Sequence, residues 1–232
     1  MTIAVSDRSL AAMPARGGTF DFVARAYRWM EYATFGRALE RCRERFLGML
    51  GEQESALVLG DGDGRFVSSL LAANPEMEVD AVDESGAMLR LLQARVRRVG
   101  AESRLRTHCE DALGFEFWDG RRYDLVATHF FLDCLTQAEV ETLCGRVVAR
   151  LENGALWVVS EFRIPEGTMR WPARALVRGL YIGFRMLAGL RTAELPDHTR
   201  ALRAAGFVKV AQRLSLAGVL TAEVWQLVVA GE

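Results

Sequence analysis

The chain of 232 residues is long enough to build one substantial hydrophobic core, which suits a single domain. Half of its residues are hydrophobic and 25% are charged, a balance that is typical of globular proteins and argues against a disordered or membrane-embedded chain. The formal net charge is −1, so no overall basic field attracts the chain to nucleic acid. We therefore predict no nucleic-acid partner.

Cysteine spacing and apolar runs bear on the cellular compartment. None of the four cysteines belongs to a Cys-x-x-Cys pair, so we predict free thiols and no metal site. The first nineteen residues lack the apolar core of a signal peptide, and no uncharged apolar run reaches membrane-spanning length. The sequence thus favours a cytoplasmic protein without stable membrane insertion. It leaves open a peripheral membrane contact and the oligomeric state.

The chain begins with a segment that we predict to be a flexible tail, residues 1–19, and continues as a single domain over residues 20–232. Between residues 20 and 50 apolar residues recur at helical spacing, which predicts helices separated near Gly36. From residue 56 onward short apolar runs alternate with amphipathic segments. The predicted strands cover residues 56–59, 78–82, 105–108, 123–128, 155–160, 207–210 and 222–229.

Strands that alternate with helices predict an α/β fold with right-handed crossovers. Thr136 and Glu139 have the spacing of a capping box, and they open a helix that we expect to run through Leu151 and to end at Asn153-Gly154. The last two strands have no helix between them and should form an antiparallel hairpin. The predicted fold is therefore a doubly wound, seven-stranded, mostly parallel sheet with a C-terminal antiparallel hairpin.

A glycine-rich turn follows the first predicted strand. Residues 60–64 read Gly-Asp-Gly-Asp-Gly between this strand and a helix, and Asp83 ends the second strand. In open parallel sheets ligands bind beyond the carboxyl ends of the strands, where a carboxylate can accept hydrogen bonds from both hydroxyls of a ribose. The turn therefore predicts a nucleotide site, and a tight strand-to-helix turn without a ligand is the alternative.

The charges of this turn discriminate between nucleotides. A dinucleotide site requires a third glycine where this chain has Arg65, and the carboxylates of Asp61 and Asp63 would repel a pyrophosphate. The same carboxylates attract an ammonium group. S-adenosylmethionine carries an amino-acid tail and no phosphate, so the turn favours it over NAD as the cofactor.

The order of these segments resembles that of the class I S-adenosylmethionine-dependent methyltransferases, over about residues 20–230. Leu57–Gly64 is similar to their first motif and Ala81–Asp83 to their second. Residues 110–112 resemble the segment that contacts adenine. Residues 123–126 and 129–131 resemble the fourth-strand motif beside the sulfonium. The resemblance implies a Rossmann-like methyltransferase fold, with Asp111 beside the adenine amino group. The cofactor contacts that it implies are Gly60, Asp61, Gly62, Asp63, Gly64, Asp83, Glu84, Met88, Asp111, Ala112, His129 and Phe130.

Two features qualify this resemblance. Val58 occupies a position that is usually acidic in the family, which keeps open a non-catalytic S-adenosylmethionine-binding module. The segment from Phe20 to Gly36 resembles the opening of the ubiquinone and menaquinone C-methyltransferases, although Arg28 and Glu31 replace the expected Asp and Asn. We interpret this likeness as kinship and infer no substrate from it.

Candidate catalytic residues follow the fourth strand. His129 and Asp133 come at its carboxyl end, where either side chain can act as a general base. The alternative is that His129 packs beside the methionine moiety and Asp133 caps the next helix. Methyl transfer depends largely on alignment and on the exclusion of water, so the family can work without a fixed base.

A helix predicted over residues 170–190 is additional to the alternating pattern, since residues 197–205 supply the helix before the sixth strand. Its apolar stripe fits core packing, a lid over an apolar acceptor, or a membrane surface. Its arginines can bind an anionic acceptor. The predicted acceptor residues are Tyr27, Arg174, Arg178, Tyr181 and His198.

Together these patterns predict an enzyme, an S-adenosylmethionine-dependent methyltransferase that acts on a small, partly apolar molecule. An NAD-linked oxidoreductase is a less favoured alternative, because Arg65 and the terminal hairpin argue against it. A protein or nucleic-acid methyltransferase is disfavoured, because no Asn-Pro-Pro-Tyr-like segment follows the fourth strand. The acceptor and the methylated atom, whether carbon, oxygen, nitrogen or sulfur, stay open.

Overall fold

The computed structural model describes residues 37–116, 120–171, 173–175, 179 and 195–228. The strands in this part of the chain are β1 (Ser55–Leu59), β2 (Glu78–Val82), β3 (Leu105–His108), β4 (Tyr123–His129), β5 (Leu151–Phe162), β6 (Phe207–Ser215) and β7 (Leu220–Leu227). They form one sheet in the order β3-β2-β1-β4-β5-β7-β6. Pairs among β1 to β5 are parallel, whereas β7 is antiparallel to both β5 and β6. The predicted fold class is therefore confirmed.

Helices cover both faces of the sheet. They are α1 (Ala38–Arg43), α2 (Arg65–Ala73), α3 (Gly86–Arg98), α4 (Gln137–Val148) and α5 (His198–Ala204). Residues of α2 and α3 share one apolar core with one face of β1 and β2, and residues of α4 and α5 share a second core with the opposite face of β4, β5 and β7. A third cluster joins α1 to β5 and β7. The carboxyl ends of the parallel strands form the edge at which the candidate site lies.

Side-chain alternation along β1 explains this division of the core. Ala56 and Val58 pack with α2 and α3, whereas Leu57 and Leu59 belong to the core beneath α4. Successive side chains of a strand point to opposite faces, so a strand covered by helices on both sides must be apolar at every position. Val58 is 1% exposed, and its apolar character therefore has a packing reason.

The helix after the fourth strand ends earlier than predicted. Its capping box is confirmed, because Thr136 and Glu139 exchange both of the expected hydrogen bonds. The helix stops at Val148, however, and Leu151 already belongs to β5, where it pairs with Tyr123. The register of β4 against β5 shifts between Tyr123 and Leu125. The first residues of β5 therefore pair irregularly, and apolar periodicity does not predict such an irregularity.

The terminal hairpin is longer than predicted. β6 continues to Ser215 and β7 already begins at Leu220, and a single 3-10 turn, Leu216–Gly218, joins them.

In the N-terminal region α1 and a 3-10 turn at Leu47–Met49 fall within the predicted helical segment. The predicted tail and helices over residues 1–36, and most of the predicted helix over 170–190, lie outside the described residues.

None of the helices in the described part of the chain is both long and apolar enough to cross a membrane. All four cysteines, Cys42, Cys109, Cys134 and Cys144, are free thiols, and Cys42 and Cys144 are buried.

The capping box of α4 leads to a stability prediction. Thr136→Ala removes the hydroxyl that accepts the Glu139 N–H and should lower the free energy of unfolding by about 1 kcal/mol. Thr142 lies within the same helix, and among the described residues its hydroxyl bonds only to the Ala138 carbonyl, so Thr142→Ala should change the free energy of unfolding by less than about 0.5 kcal/mol. Urea denaturation of both variants measures the difference. Equal losses would show that the cap contributes nothing of its own.

Candidate active site

The turn between β1 and α2 requires glycine at two positions for packing reasons. Gly60 and Gly64 have φ angles of +67° and +80°. A Cβ on Gly60 would lie 2.3 Å from Cδ2 of Phe131, and one on Gly64 would lie 2.7 Å from Cα of Leu92. Beside Gly62, by contrast, no heavy atom of the described residues lies within 4 Å of the Cβ position. The turn is thus closed at both ends and open at its centre, where a ligand can approach the backbone.

Asp83 follows β2, and its carboxylate is bound to the backbone. The Ser85 N–H donates to Oδ1 at 2.8 Å, and the N–H of Gly62 also donates to this carboxylate. Burial raises the pKa of Asp83 to about 6, although both hydrogen bonds oppose that shift. Asp83 therefore connects the end of β2 to the centre of the glycine-rich turn. Of the two neighbouring predicted contacts, Glu84 is exposed and Met88 is half-buried.

Asp61 has one satisfied and one unsatisfied carboxylate oxygen. The Val67 N–H donates to Oδ2 at 3.0 Å, whereas Oδ1 is buried and has no hydrogen-bond partner within the described residues. Burial raises the pKa of Asp61 to about 7, and the guanidinium of Arg43 is close enough to oppose that shift. A buried carboxylate oxygen without a partner is costly. Asp61 is therefore a candidate to bind a cationic or hydrogen-donating ligand group.

Asp63 has a different environment from Asp61. Its Oδ2 lies 2.8 Å from Nη2 of Arg95 in α3, and Arg65 Nε donates to the same carboxylate at 3.3 Å. Arg95 also donates to the Asp63 carbonyl at 3.0 Å. These contacts fasten the turn to α3. Because two arginines of the protein already neutralise Asp63, its geometry argues against the predicted contact with a cofactor ammonium.

His129 lies in the core, on the face that α2 covers. Only 2% of the residue is exposed, and its ring packs edge-on against Phe66 with the centroids 4.2 Å apart. Ser160 donates its hydroxyl proton to the Cys42 carbonyl at 3.2 Å and therefore accepts Nδ1–H of His129 at 2.9 Å. The lone pair of the ring is then on Nε2, which is buried without a partner among the described residues.

This environment makes His129 a weak base. Burial, followed by the charge of Arg43, lowers its pKa to about 3. A general base is most effective when its pKa lies near the working pH. This environment argues against His129 as the general base and favours the packing alternative, and the role of His129 stays a prediction.

Phe130 marks a strained step at the carboxyl end of β4. Its φ is +55°, a region that bulky residues rarely adopt. Its N–H donates to the Ser160 carbonyl at 2.7 Å, and the guanidinium of Arg43 lies 5.1 Å from its ring centroid. Arg43 is only 8% exposed. This buried cation is not predictable from the sequence, because one arginine in an arginine-rich amphipathic helix gives no distinguishing signal.

The segment after β3 holds Asp111 at the surface. Its Oδ1 accepts the Leu113 N–H at 2.9 Å, and its carbonyl accepts the N–H groups of Gly114 and Phe115. Ala112 is half-buried against the core beneath α4. Asp111 therefore shapes the loop at the end of β3, and its role toward adenine stays a prediction.

Two carboxyl groups lie close together beyond β4 and β5. Oε1 of Glu161 accepts the N–H groups of Phe131 at 3.2 Å and of Leu132 at 2.9 Å. Oε2 of Glu161 is buried and has no hydrogen-bond partner among the residues described. Asp133, in the same turn, is 8% exposed and accepts the Cys134 thiol at 3.5 Å.

The ionisation of these two groups is linked. Burial raises the pKa of Asp133 to about 6 and that of Glu161 well above its ordinary value, and the charge of Asp133 raises the pKa of Glu161 further. Thr136 rather than Asp133 caps α4, so the alternative role of Asp133 as the helix cap is wrong. Glu161 was not among the predicted site residues, although an acidic residue inside the apolar run 157–162 was a usable signal.

His198 begins α5 and contacts the same region. Its Nε2 lies 3.3 Å from Oε2 of Glu223, and its charge lowers the pKa of Asp133. Of the other predicted acceptor residues, Arg174 is exposed, and Tyr27, Arg178 and Tyr181 lie outside the described residues. Within the described part of the chain no group of three His, Cys, Asp or Glu side chains could hold a metal ion.

Comparison with known proteins identifies the fold. Residues 56–154 match the family model described as a methyltransferase domain. The apo S-adenosylmethionine-dependent methyltransferase SibL is 21% identical with a TM-score of 0.66, over 95% of this chain and 61% of that one. An O-methyltransferase family protein from Burkholderia thailandensis is 15% identical with a TM-score of 0.62, over 88% of this chain and 64% of that one.

A third similar structure is close to this chain in length. It is the N-methyltransferase NodS from Bradyrhizobium japonicum in complex with S-adenosylhomocysteine, 16% identical with a TM-score of 0.63, over 90% of this chain and 98% of that one. Against SibL and the Burkholderia protein, this chain spans only about three fifths of their length. No curated protein matches the sequence. These findings confirm the predicted Rossmann-like methyltransferase fold.

The contact between Gly60 and Phe131 can be tested by a double-mutant cycle. Gly60→Ala should destabilise the protein by more than the roughly 1–2 kcal/mol of left-handed backbone strain, because its Cβ meets the Phe131 ring. Adding Phe131→Ala should recover at least about 1 kcal/mol relative to the sum of the single variants. Gly62→Ala has the strain without the clash and serves as the control. Strict additivity in urea denaturation would contradict the contact.

Proposed function

We propose that the protein is an S-adenosylmethionine-dependent methyltransferase that acts on a small, partly apolar molecule. The observation that carries this proposal is the edge formed by β1, β2 and β4 within the methyltransferase domain. There the open centre of the glycine-rich turn lies between Asp83, bound to the Gly62 N–H, and the buried carboxylate of Asp61. In open α/β sheets this edge is where nucleotides bind.

The charges at this edge suit S-adenosylmethionine better than a phosphate-bearing cofactor. The unpaired Oδ1 of Asp61 would accept the methionine ammonium, and the buried guanidinium of Arg43 would pair with the methionine carboxylate. Asp83 would accept the ribose hydroxyls. A pyrophosphate at the same place would face the Asp61 carboxylate and be repelled, which disfavours an NAD-linked oxidoreductase.

The bound cofactor supplies a methyl group activated by a sulfonium, and the chain supplies alignment and a dry environment. Phe130 and Phe131 enclose the edge beside the glycine-rich turn, and Phe130 belongs to an apolar cluster with Phe162, Val219 and Leu220 at the carboxyl end of β5. This cluster supports a partly apolar acceptor. The similar structures include both O- and N-methyltransferases, so the methylated atom does not follow from the fold.

Finer parts of the prediction remain proposals. Kinship with the ubiquinone and menaquinone C-methyltransferases rests on residues 20–36, which lie outside the described residues. The acceptor roles of Tyr27, Arg174, Arg178 and Tyr181, the cytoplasmic location and the lack of a nucleic-acid partner likewise rest on the sequence alone.

Calorimetric titration with S-adenosylhomocysteine tests the proposed function, with NADH and NADPH as controls. We expect one molecule of S-adenosylhomocysteine to bind and neither nicotinamide cofactor to compete. Asp83→Ala should weaken this binding by about 1–3 kcal/mol, because buried charged hydrogen bonds are lost. Glu102→Ala, at an exposed carboxylate after α3, should leave the affinity unchanged. Binding of a nicotinamide cofactor alone would refute the methyltransferase proposal.

The raised pKa values of Asp61 and Asp83 predict that donor affinity depends on pH. Both groups must be ionised to bind cationic or hydroxyl partners, so affinity should rise as the pH passes the pKa values of about 6 and about 7. Below both values each further pH unit should weaken binding by up to about tenfold per carboxylate. Titrations of S-adenosylhomocysteine between pH 5.5 and 8 measure this dependence. Asp61→Asn should remove the rise in affinity near pH 7 and leave the rise near pH 6. A constant affinity would exclude both carboxylates from the site.

A further inference from the structure

The turn between β4 and α4 brings a second functional group to the edge where the donor is proposed to bind. Phe131 contacts the Gly60 position of the glycine-rich turn, and Asp133 comes two residues later in the same turn. Glu161, at the end of the neighbouring strand β5, binds the N–H groups of Phe131 and Leu132. The two carboxyl groups therefore lie at the carboxyl ends of adjacent parallel strands, next to the donor turn.

The two carboxyl groups have unequal surroundings. Oε1 of Glu161 is occupied by backbone donors, and its Oε2 is buried with no partner among the described residues. The Cys134 thiol donates to Asp133, and His198 lies near enough to stabilise the Asp133 anion. Since two neighbouring buried carboxylates cannot both ionise at little cost, the pair retains one proton near neutral pH. Its surroundings favour Glu161 as the protonated member and Asp133 as the ionised one.

We propose that Asp133, paired with Glu161, is the catalytic base of the reaction and that the methyl acceptor is a hydroxyl compound. This inference rests on the proposed methyltransferase function. A hydroxyl oxygen must lose its proton as it becomes an ether, whereas a thiol ionises readily by itself and a neutral amine attacks without prior proton loss. Among oxygen, nitrogen and sulfur acceptors, a buried carboxylate poised to take a proton is therefore useful chiefly for an oxygen nucleophile.

The proton and electron balance of this step is complete. Asp133 accepts the hydroxyl proton while the acceptor oxygen forms a bond to the donor methyl carbon, and the carbon–sulfur bond breaks with its electron pair on sulfur. The products are a methyl ether, S-adenosylhomocysteine and protonated Asp133. Glu161 keeps its proton throughout and acts as a positioning residue, because it holds the turn that carries Asp133.

The pH dependence of this unit reflects all the ionisable groups around it. Cys134 in the same turn, Glu161 from β5 and His198 from α5 all face Asp133, and Glu84 acts on Cys134 from the loop after β2. With a pKa of about 6 for Asp133, kcat/KM for a phenol should rise with pH through that value and then level off. The sign follows from the base, which must be deprotonated to act.

The experiment compares the wild type with Asp133→Asn on a series of substituted phenols of decreasing pKa. We expect Asp133→Asn to lower kcat/KM by about 10²- to 10³-fold for weakly acidic phenols and much less for phenols already ionised at the assay pH. Its pH profile should lose the rise near pH 6. The surface variant Glu141→Gln, at an exposed carboxylate of α4, is the matched control and should keep both the rate and the profile.

Two readouts are independent of turnover. Infrared difference spectra of the ligand-free protein between pH 5 and pH 8 should show loss of a carboxyl C=O band that is missing in Asp133→Asn. Calorimetry should give an affinity of Asp133→Asn for S-adenosylhomocysteine within about twofold of the wild type, which also shows that the variant is folded.

Each result bears on one of the two proposals. If S-adenosylhomocysteine binds but the wild type methylates thiols or amines and no phenol, the hydroxyl acceptor is wrong while the methyltransferase proposal stands. If Asp133→Asn keeps the wild-type rate and pH profile, the assignment of the base is overturned. If S-adenosylhomocysteine does not bind at all, the proposed function itself fails, and this inference fails with it.

Discussion

The Glu161 carboxyl group holds the backbone of the turn after β4, and both sides of the candidate site depend on this contact. It accepts hydrogen bonds from the N–H groups of Phe131 and Leu132, which directly follow the strained Phe130. A left-handed conformation at a bulky residue costs of order 1–3 kcal/mol and persists only when its surroundings enforce it. Hydrogen bonds to a buried acceptor supply stabilisation of similar size. They fix Phe131 against Gly60 and leave Asp133 beside the same carboxyl group.

Buried carboxyl groups in this protein fall into two classes that differ in how they are satisfied. Glu223 is buried, yet hydrogen bonds and charge from His198 and Lys209 outweigh its burial and lower its pKa to about 2. Asp80 likewise accepts from Arg106 and Tyr123. At the candidate site, by contrast, burial dominates and raises the pKa of Asp61, Asp83, Asp133 and Glu161. Groups whose pKa is raised in this way cluster at functional sites.

The sequence predicted the features that depend on neighbouring residues. It did not predict the features that depend on contacts between residues distant in the sequence. The strand, glycine-rich turn and helix around residues 56–71 follow from local periodicity, and so does the capping box at Thr136. The surroundings of Asp63 do not, because Arg95 is 32 residues away in sequence. The surroundings of His129 could not be predicted for another reason. Its position at a strand end was clear, but which face it occupies depends on the register of β4 against β5, where it pairs with Ser160.

Long-range pairing also explains why two residues of the site were not found. Arg43 acts on Asp61 and His129 only because α1 packs against β5 and β7. Glu161 reaches the Phe131 N–H across 30 positions of sequence. An acidic residue in the apolar run of β5 conflicts with its local pattern, and such conflicts between local pattern and burial are expected at functional sites. The conflict itself was visible in the sequence, whereas the partner that resolves it was not.

The family resemblance leads one to expect an acidic residue at position 58, where this chain has Val58. The proposed donor site does not depend on an acid at that position. The Val58 side chain is enclosed by the core that α2 and α3 share with β1, where an unpaired carboxylate would pay a desolvation cost. Asp61, three residues later, instead provides a buried carboxylate within the turn and has one oxygen free of hydrogen bonds from the described residues. Under the proposed function the negative charge for the methionine end has moved from the strand into the turn. The absence of an acid at position 58 is therefore no argument that the protein is a non-catalytic S-adenosylmethionine-binding module.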